Sequence, residues 1–454
     1  MEIDRKLFLE EKVTRLLLKF STPAVLGMSV IAIATISDSI FVGKLVGTAG
    51  LAATTLALPV YMLLSAIAGT IGIGGSSIWS VDMGAKNYDR AERVFGNVMI
   101  LNFIVGLCIM LFGLLFIDNL LAFMNTPADV YSYAKVYVGF IFLGSFFTIC
   151  TIGFNNFIRA EGKPVTSMIF VITAGTITVL LDAVLIYYFK MGIKGAAIAA
   201  ISGHFIVFWF VLYHFTRGNS ALKIKKEMFI PDFGIIKEVF LIGMASFLRQ
   251  FSIGVMHFII NISVVWYSGL KAGIMLAVVG IAFRIIMFIL MPVIGIIQGM
   301  QPIVGFNYGA KEYLRAKNTT LVAMCVSFTI AFVLWLISFS FPGYVLGIFS
   351  NDNELIESGS NIVRLIIFFI PLVAAQTTGA GVFQALKKPL PANFFAALRQ
   401  IILLVPLILI LPRFIGLEGV WYAVPVADLV AVIITFIWII REFRVLDREH
   451  MKIA

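Results

Sequence analysis

The sequence predicts an all-α membrane protein of twelve transmembrane helices. They form two parallel six-helix bundles related by a pseudo-twofold axis along the membrane normal. Three observations carry that prediction. The 454 residues are 61% hydrophobic and only 13% charged, against ~45–50% and ~25% in soluble domains. Twelve apolar runs approach or exceed the ~20 residues needed to cross ~30 Å of hydrocarbon. Short motifs also recur at a spacing close to half the chain.

Backbone polar groups must pair internally inside lipid, so each run is read as a helix. The first, near 16–42, carries Pro23 and Asp38. The second, 49–82, carries Pro59 and a Gly72–Ser77 stretch of small residues. Next come 93–118 with Cys108, 131–157 with Cys150 and Asn155, 164–189 with Thr178 and Asp182, and 194–216 with His204. The second half supplies 238–267 with Arg249 and His257, 272–305 with Arg284, Pro292 and Pro302, and 317–342 with Cys325. It closes with 355–384 carrying Pro371, 391–412 carrying Arg399 and Pro406, and 418–441 carrying Asp428. The ~10-residue alternation of a membrane β-barrel is absent. The charged N-terminus lacks an apolar core followed by a small-residue cleavage site, so the first run is expected to insert and stay.

Loop charges set the orientation. Twenty-four Lys and Arg fall on one side, including Lys86, Arg90, Lys163, Lys223, Lys225 and Lys311; seven, including Lys44, Lys135 and Lys271, fall on the other. That places both termini in the cytoplasm, in a multi-pass protein of the plasma membrane.

The repeat fixes the architecture. Gly84-Ala85-Lys86-Asn87-Tyr88-Asp89-Arg90-Ala91 reappears as Gly309-Ala310-Lys311-Glu312-Tyr313-Leu314-Arg315-Ala316, an offset of 225. Lys163-Pro164 recurs as Lys388-Pro389, and Gly192-Ile193-Lys194-Gly195 as Gly416-Leu417-Glu418-Gly419. The expected domains are a lobe over 1–216, a cytoplasmic linker over 217–237 and a lobe over 238–454. Six is even, so the halves enter the membrane in the same sense. Parallel repeats of this kind enclose a cleft that can open to either side, the geometry of a transporter.

Several function classes fall away. The net charge of +10 reflects loop topology and implies no nucleic-acid partner. Cys108, Cys150 and Cys325 lie in apolar runs and read as small buried hydrophobes, not as disulfides or a metal site. Gly-Lys at 43–44 and 162–163 is followed by Leu and Pro, so no Walker A loop exists and ATP is not expected as the energy source. Gly72-Ile73-Gly74-Gly75-Ser76-Ser77 sits inside an apolar helix, where small residues allow close helix packing. No histidine pair has metal-ligand spacing and no Gly-x-Ser-x-Gly elbow occurs, which argues against an enzyme.

Charge inside a membrane is costly, so ionisable residues there are functional candidates. Asp38, Asp182 and Asp428 are the acids within apolar runs, and Arg249, Arg284 and Arg399 the bases. The two halves differ. Asp38 projects onto Ser263 and Asp182 onto the Pro406–Leu407 region, while Arg249, Arg284 and Arg399 project back onto Ala24, Pro59 and Ala174. The N-terminal half thus keeps an acid pair. Thr178 lies one turn before Asp182 and Thr35 about one turn before Asp38, placing hydroxyls within expected reach of each carboxyl. A pair of acids in apolar surroundings is a candidate proton-carrying site; the alternative is structural carboxyls bonded to neighbouring helices. Arg284 and Arg399 are expected to pair with Asp428 or helix carbonyls, with recognition of an anionic group as the alternative. His204 and His257 read as satisfied core histidines, with a proton relay as the alternative. Pro23, Pro59, Pro292, Pro302, Pro371 and Pro406 are read as interior helix kinks. Abundant Met and Phe would suit a soft cavity for bulky apolar ligands.

At these positions the chain resembles the multidrug and toxic compound extrusion (MATE) family, and within it the DinF-like branch. The matching stretches are Ser37–Gly43, Asn155–Gly162, Leu181–Ile186, Gln298–Lys311 and Gly416–Trp421. The resemblance implies a V of two lobes and a cation-coupled exporter of amphipathic, often cationic compounds. It also implies a cation site at Asp38 and Asp182, with Asn155 as polar neighbour. Thr178 and Ala200 stand where that branch often has Asn and Thr. The seventh run offers Arg249, Gln250 and His257 and no carboxylate, against a sodium site in the second half.

The resulting expectation is a secondary antiporter working by alternating access, driven by H+ or Na+ with no other cofactor. Its partners would be a drug-like small molecule and membrane lipid, and it would act as a monomer. A lipid-linked precursor or polysaccharide flippase, its pyrophosphate met by the three arginines, is the alternative.

Overall fold

In a computed structural model all regular structure in the described residues is helical; these residues are 5–124, 126–218, 220–222, 224, 226–269, 272–349 and 352–453. Lys223, Lys225 and Lys271 of the charge count lie outside them. Twelve helices are long and apolar enough to cross a membrane: α1 (Val13–Leu45), α2 (Ala49–Gly84), α3 (Tyr88–Leu115), α4 (Ala128–Ala160), α5 (Pro164–Tyr188), α6 (Ile193–Thr216), α7 (Phe233–Ser268), α8 (Gly273–Gly309), α9 (Tyr313–Ser340), α10 (Asn353–Ala385), α11 (Pro389–Ile415) and α12 (Glu418–Met451). The chain is a multi-pass membrane protein.

The helices gather into two compact units. One takes residues 1–10 and 22–247; the other takes 11–21 and 248–454. Membership therefore changes inside α1 between Ser21 and Thr22, beside Pro23, and inside α7 between Phe247 and Leu248. In the first unit α4 is the central post, packed against α2, α3 and α6. Small residues bring the helices close: a Cβ on Gly72 would strike the Gly153 backbone at 2.8 Å, and one on Gly74 would overlap the Val239 carbonyl of α7. The expected packing role of the Gly72–Ser77 stretch is thereby met. The second unit has its own core, including Met256, Ile285, Val363, Trp421 and Val424.

The repeat is written into backbone torsions. Lys86 (φ 64°) and Lys311 (φ 66°), 225 apart, are both left-handed, and each ends its helix in the same cap. Asn87 N–H donates to Asp82 O and Glu312 N–H to Asn307 O, both at 2.9 Å, the six-to-one bond of a Schellman motif. Gly162 (φ 92°) and Lys387 (φ 58°) repeat the relation at the next loop. Gly192 (φ 58°, ψ −137°) and Gly416 (φ 63°, ψ −146°) adopt a conformation that a side chain resists.

Two expectations are corrected. Cys150 is buried, but Cys108 and Cys325 are exposed on their helices; a lipid-facing surface is as apolar as a core, so an apolar run does not reveal the side a residue takes. Pro23, Pro59, Pro292 and Pro302 do lie inside helices. Pro371 instead sits in the first turn after a break at Phe368 and Phe369, where the missing N–H costs nothing; Pro406 lies inside the span Pro389–Ile415, just after its π-helical stretch, and Pro425 is a further interior proline. The α-helical ladder of α5 widens to a π-helix at Ala183–Tyr188, directly after Asp182, and that of α11 at Leu398–Leu404, around Arg399. Such π-turns accompany functional sites often enough to mark both positions.

Candidate transport site

A cavity of about 300 Å³ lies wholly within the first unit, lined by residues of α1, α2, α4, α5 and α6. Asp38, Tyr137, Asn155, Thr178 and His204 are among its polar lining residues, with several further hydroxyls, and aliphatic side chains with Phe170 supply much of the rest. Among the described residues no lysine or arginine lines it.

Asp38 is half-buried. Its Oδ2 accepts a hydrogen bond from the Tyr137 hydroxyl at 3.4 Å, and its Oδ1 has no partner among the described residues. Asp182 is fully buried, and neither of its oxygens is hydrogen-bonded among the described residues. It does not line the cavity, yet it lies within electrostatic range of both Asp38 and Tyr137. The fold thus brings together two carboxyls that are 144 positions apart in sequence.

The expected threonine bonds are not formed. Thr178 donates to Ala174 O at 3.1 Å and Thr35 to Ile31 O at 2.9 Å, each to the carbonyl one turn back on its own helix. Within a helix a hydroxyl finds that carbonyl closer than a side chain one turn ahead. Asn155 does face the cavity: its Nδ2 donates to Ser167 O at 3.5 Å and its Oδ1 is buried without a partner. His204 is no satisfied core histidine. It lines the cavity, and its Nδ1 has no partner among the described residues.

In the second unit Arg399 pairs with Asp428 at 3.0 Å, their side chains 14% and 0% exposed, which meets the pairing expected of them. Arg284 instead sits over the Phe349 ring at 5.9 Å, a cation–π contact. His257 packs on Phe283 with ring centroids 4.1 Å apart. Arg249 is half-buried in α7.

Sequence reasoning missed Tyr137. A signal existed: projected by 225 it falls on Ile362, the same asymmetry that singles out Asp38. It also missed buried acids at helix ends. Asp82 takes a two-pronged bond from Arg90 at 2.9 and 3.0 Å, and Glu161 is paired with His214 and accepts from Ser220 Oγ at 2.7 Å. Their loop-side positions hid them among surface charges.

A family model named MatE matches the chain twice, over residues 23–187 and 246–410. The chain belongs to the MatE family. One match falls in each copy of the repeat, spanning α1 to α5 in the first and α7 to α11 in the second. Among curated relatives, the multidrug export protein MepA of Staphylococcus haemolyticus is 26% identical over 424 residues, covering 93% of this chain and 92% of the relative. MepA of Staphylococcus aureus (strain MSSA476) is likewise 26% identical, covering 94% and 93%. Among solved structures, a multidrug resistance MATE family transporter in an outward-facing conformation superposes with a TM-score of 0.91 at 25% identity, covering 98% of this chain and 99% of that one. A MOP superfamily transporter from Pyrococcus furiosus shares the fold at a TM-score of 0.91 and 24% identity, covering 98% and 100%.

Proposed function

We propose that this MatE protein is a secondary antiporter of the plasma membrane that exports amphipathic organic cations by alternating access. Both termini lie in the cytoplasm, the working unit is a monomer, and the energy comes from an inward flow of H+, with Na+ as the other candidate, and not from ATP. The carrying observation is Asp182, buried with no donor on either oxygen among the described residues and within electrostatic range of Asp38 at the cavity wall. A bare carboxylate in apolar surroundings is costly to keep; it takes up a proton or a cation, and its neighbour Asp38 feels the change. Loading one acid then alters the attraction that the cavity exerts on a cationic cargo, which is the coupling an antiporter needs. The placement of both acids in the first unit supports the DinF-like branch. The likeness to the multidrug export protein MepA supports drug export. A cavity with a carboxylate and, among the described residues, no lysine or arginine favours a cationic cargo over the pyrophosphate of a flippase.

The test is ethidium transport in proteoliposomes with ΔpH and ΔNa+ imposed separately. Asp38→Asn and Asp182→Asn are each expected to lower gradient-driven flux more than tenfold while the protein remains monodisperse. Undiminished flux in both variants overturns the assignment.

A further inference from the structure

The cavity wall carries polar atoms that the protein itself leaves unsatisfied. On α4, Thr148, Thr151 and Asn155 follow one another at i, i+3 and i+7 and face the cavity. Their hydroxyls are engaged locally: Thr148 donates to Gly144 O at 3.1 Å and Thr151 to Phe147 O at 2.5 Å. Thr151 also reaches the His204 carbonyl at 3.3 Å, tying α4 to α6 at one level. What remains is a pair of buried atoms on adjacent helices without a partner among the described residues, Nδ1 of His204 and Oδ1 of Asn155. A buried polar atom left without a partner is destabilising, and a bound group that supplies the missing bonds removes that cost.

The acid lies toward the other end. Tyr137, which donates to Asp38, and Thr151, which contacts the His204 backbone, are fourteen residues apart on α4, about 21 Å along the helix axis. Between these levels α4 presents Ile141 and Thr148, and the lining as a whole is mostly apolar, with Ile31, Leu58, Ile152, Phe170 and Ala174 among its residues. The cavity is therefore two-ended, negative at Asp38 and neutral but hydrogen-bonding at His204 and Asn155.

Resting on the reading that this cavity holds the cargo, we infer that His204, together with Asn155, is a specificity-determining pole for the cargo's distal end. The class of molecule it fits is an elongated organic cation with its positive head at Asp38, an apolar body, and a terminal hydroxyl or amide. A terminal hydroxyl suits the pair: it donates to Asn155 Oδ1 and still accepts from, or shares a proton with, the imidazole nitrogen. A terminal methyl leaves both atoms unpaired. Discrimination of this kind, by stranding polar atoms of the site, is stronger than discrimination by fit alone.

Two probes with the same head and chain length isolate the effect: dodecyltrimethylammonium and its 12-hydroxy analogue. Each competes with ethidium for the purified protein in detergent, read by fluorescence polarisation, with micelle partitioning of both probes measured separately. The expected wild-type preference is at least fivefold for the hydroxy analogue. His204→Phe and Asn155→Leu should each bring the ratio within twofold of unity, while His204→Gln, which keeps a hydrogen-bonding group, should hold it above threefold. The ratio is internal to each sample, so loss of folded protein does not mimic the effect. A wild-type ratio near unity, or a His204→Phe ratio equal to wild type, overturns the inference. Ethidium binding that is absent in wild type or undiminished by Asp38→Asn overturns the cavity reading itself, and the pole with it.

Discussion

The hydroxyl of Tyr137 on α4 donates to Oδ2 of Asp38 on α1 at 3.4 Å, so the acid facing the cavity is held by the same helix that carries Thr151 and Asn155. Tyr137→Phe removes that donor and keeps the ring. A hydrogen bond to a charged partner contributes ~1.5–3 kcal/mol; at 3.4 Å the lower end applies, about tenfold in an equilibrium or rate. Gradient-driven ethidium flux should fall about tenfold with folding intact, measured in proteoliposomes beside wild type. Unchanged flux would make the contact incidental.

The Arg399–Asp428 pair is buried, with Asp428 Oδ2 unpartnered among the described residues. Removing one member strands the other, at a cost of ~3–5 kcal/mol, whereas replacing both with apolar groups is often neutral or better. Arg399→Met should lower the melting temperature in detergent sharply, and Arg399→Met with Asp428→Leu should recover most of the loss. Equal melting of the single and double variants would show that the pair carries no such coupling.

Gly243 of α7 lies so close to α2 that a Cβ there would overlap the Thr70 carbonyl. Gly243→Val forces that backbone to move, an overpacking cost of ~1–3 kcal/mol. At Gly280 a Cβ meets nothing within 4 Å, so Gly280→Ala should be neutral or stabilising through helix propensity. Thermal melts of the two variants should move in opposite directions, or the second not at all.

Outside the spans, Asp118 in the short helix Ile117–Phe123 accepts from Lys135 at 2.9 Å and Tyr131 at 2.6 Å. These bonds, Lys135 first, hold its carboxyl below the ordinary 3.8. Because the folded value is the lower one, the contribution is present above the unfolded value and is lost as pH falls through the folded one. Amide protection across 117–135, corrected for intrinsic exchange, should hold from pH 7 to 5 and decline modestly below pH 4. In Asp118→Asn that decline should vanish. The site is exposed, so the effect should also shrink at high salt.

The spans, the repeat and the acid pair were legible because the bilayer imposes them. A span must be long and apolar, each repeat loop must turn in the same torsions, and an acid in such a run stands out by its cost. Other features had no such enforcement. Lipid and protein interior are both apolar, so neither Cys108 nor His204 revealed which surface it would take. Thr178 and Thr35 were placed on the correct faces, but a hydroxyl's choice between a carboxylate and its own helix carbonyl depends on a rotamer that spacing does not encode. The π-turns after Asp182 and around Arg399 leave no mark in hydropathy. Tyr137 was visible only as an asymmetry between halves.

Lys86 and Lys311 have a further consequence. A residue with a side chain in the left-handed region costs roughly 1–2 kcal/mol that glycine avoids, and the chain accepts this penalty at both equivalent turns, φ 64° and 66°. What a glycine there would forfeit is the ammonium group. Both turns lie among the loops that carry the excess of basic residues, so insertion polarity and loop torsion compete at a single atom position. The molecule resolves the contest the same way in each half, accepting a little backbone strain so that a basic side chain stands at each turn.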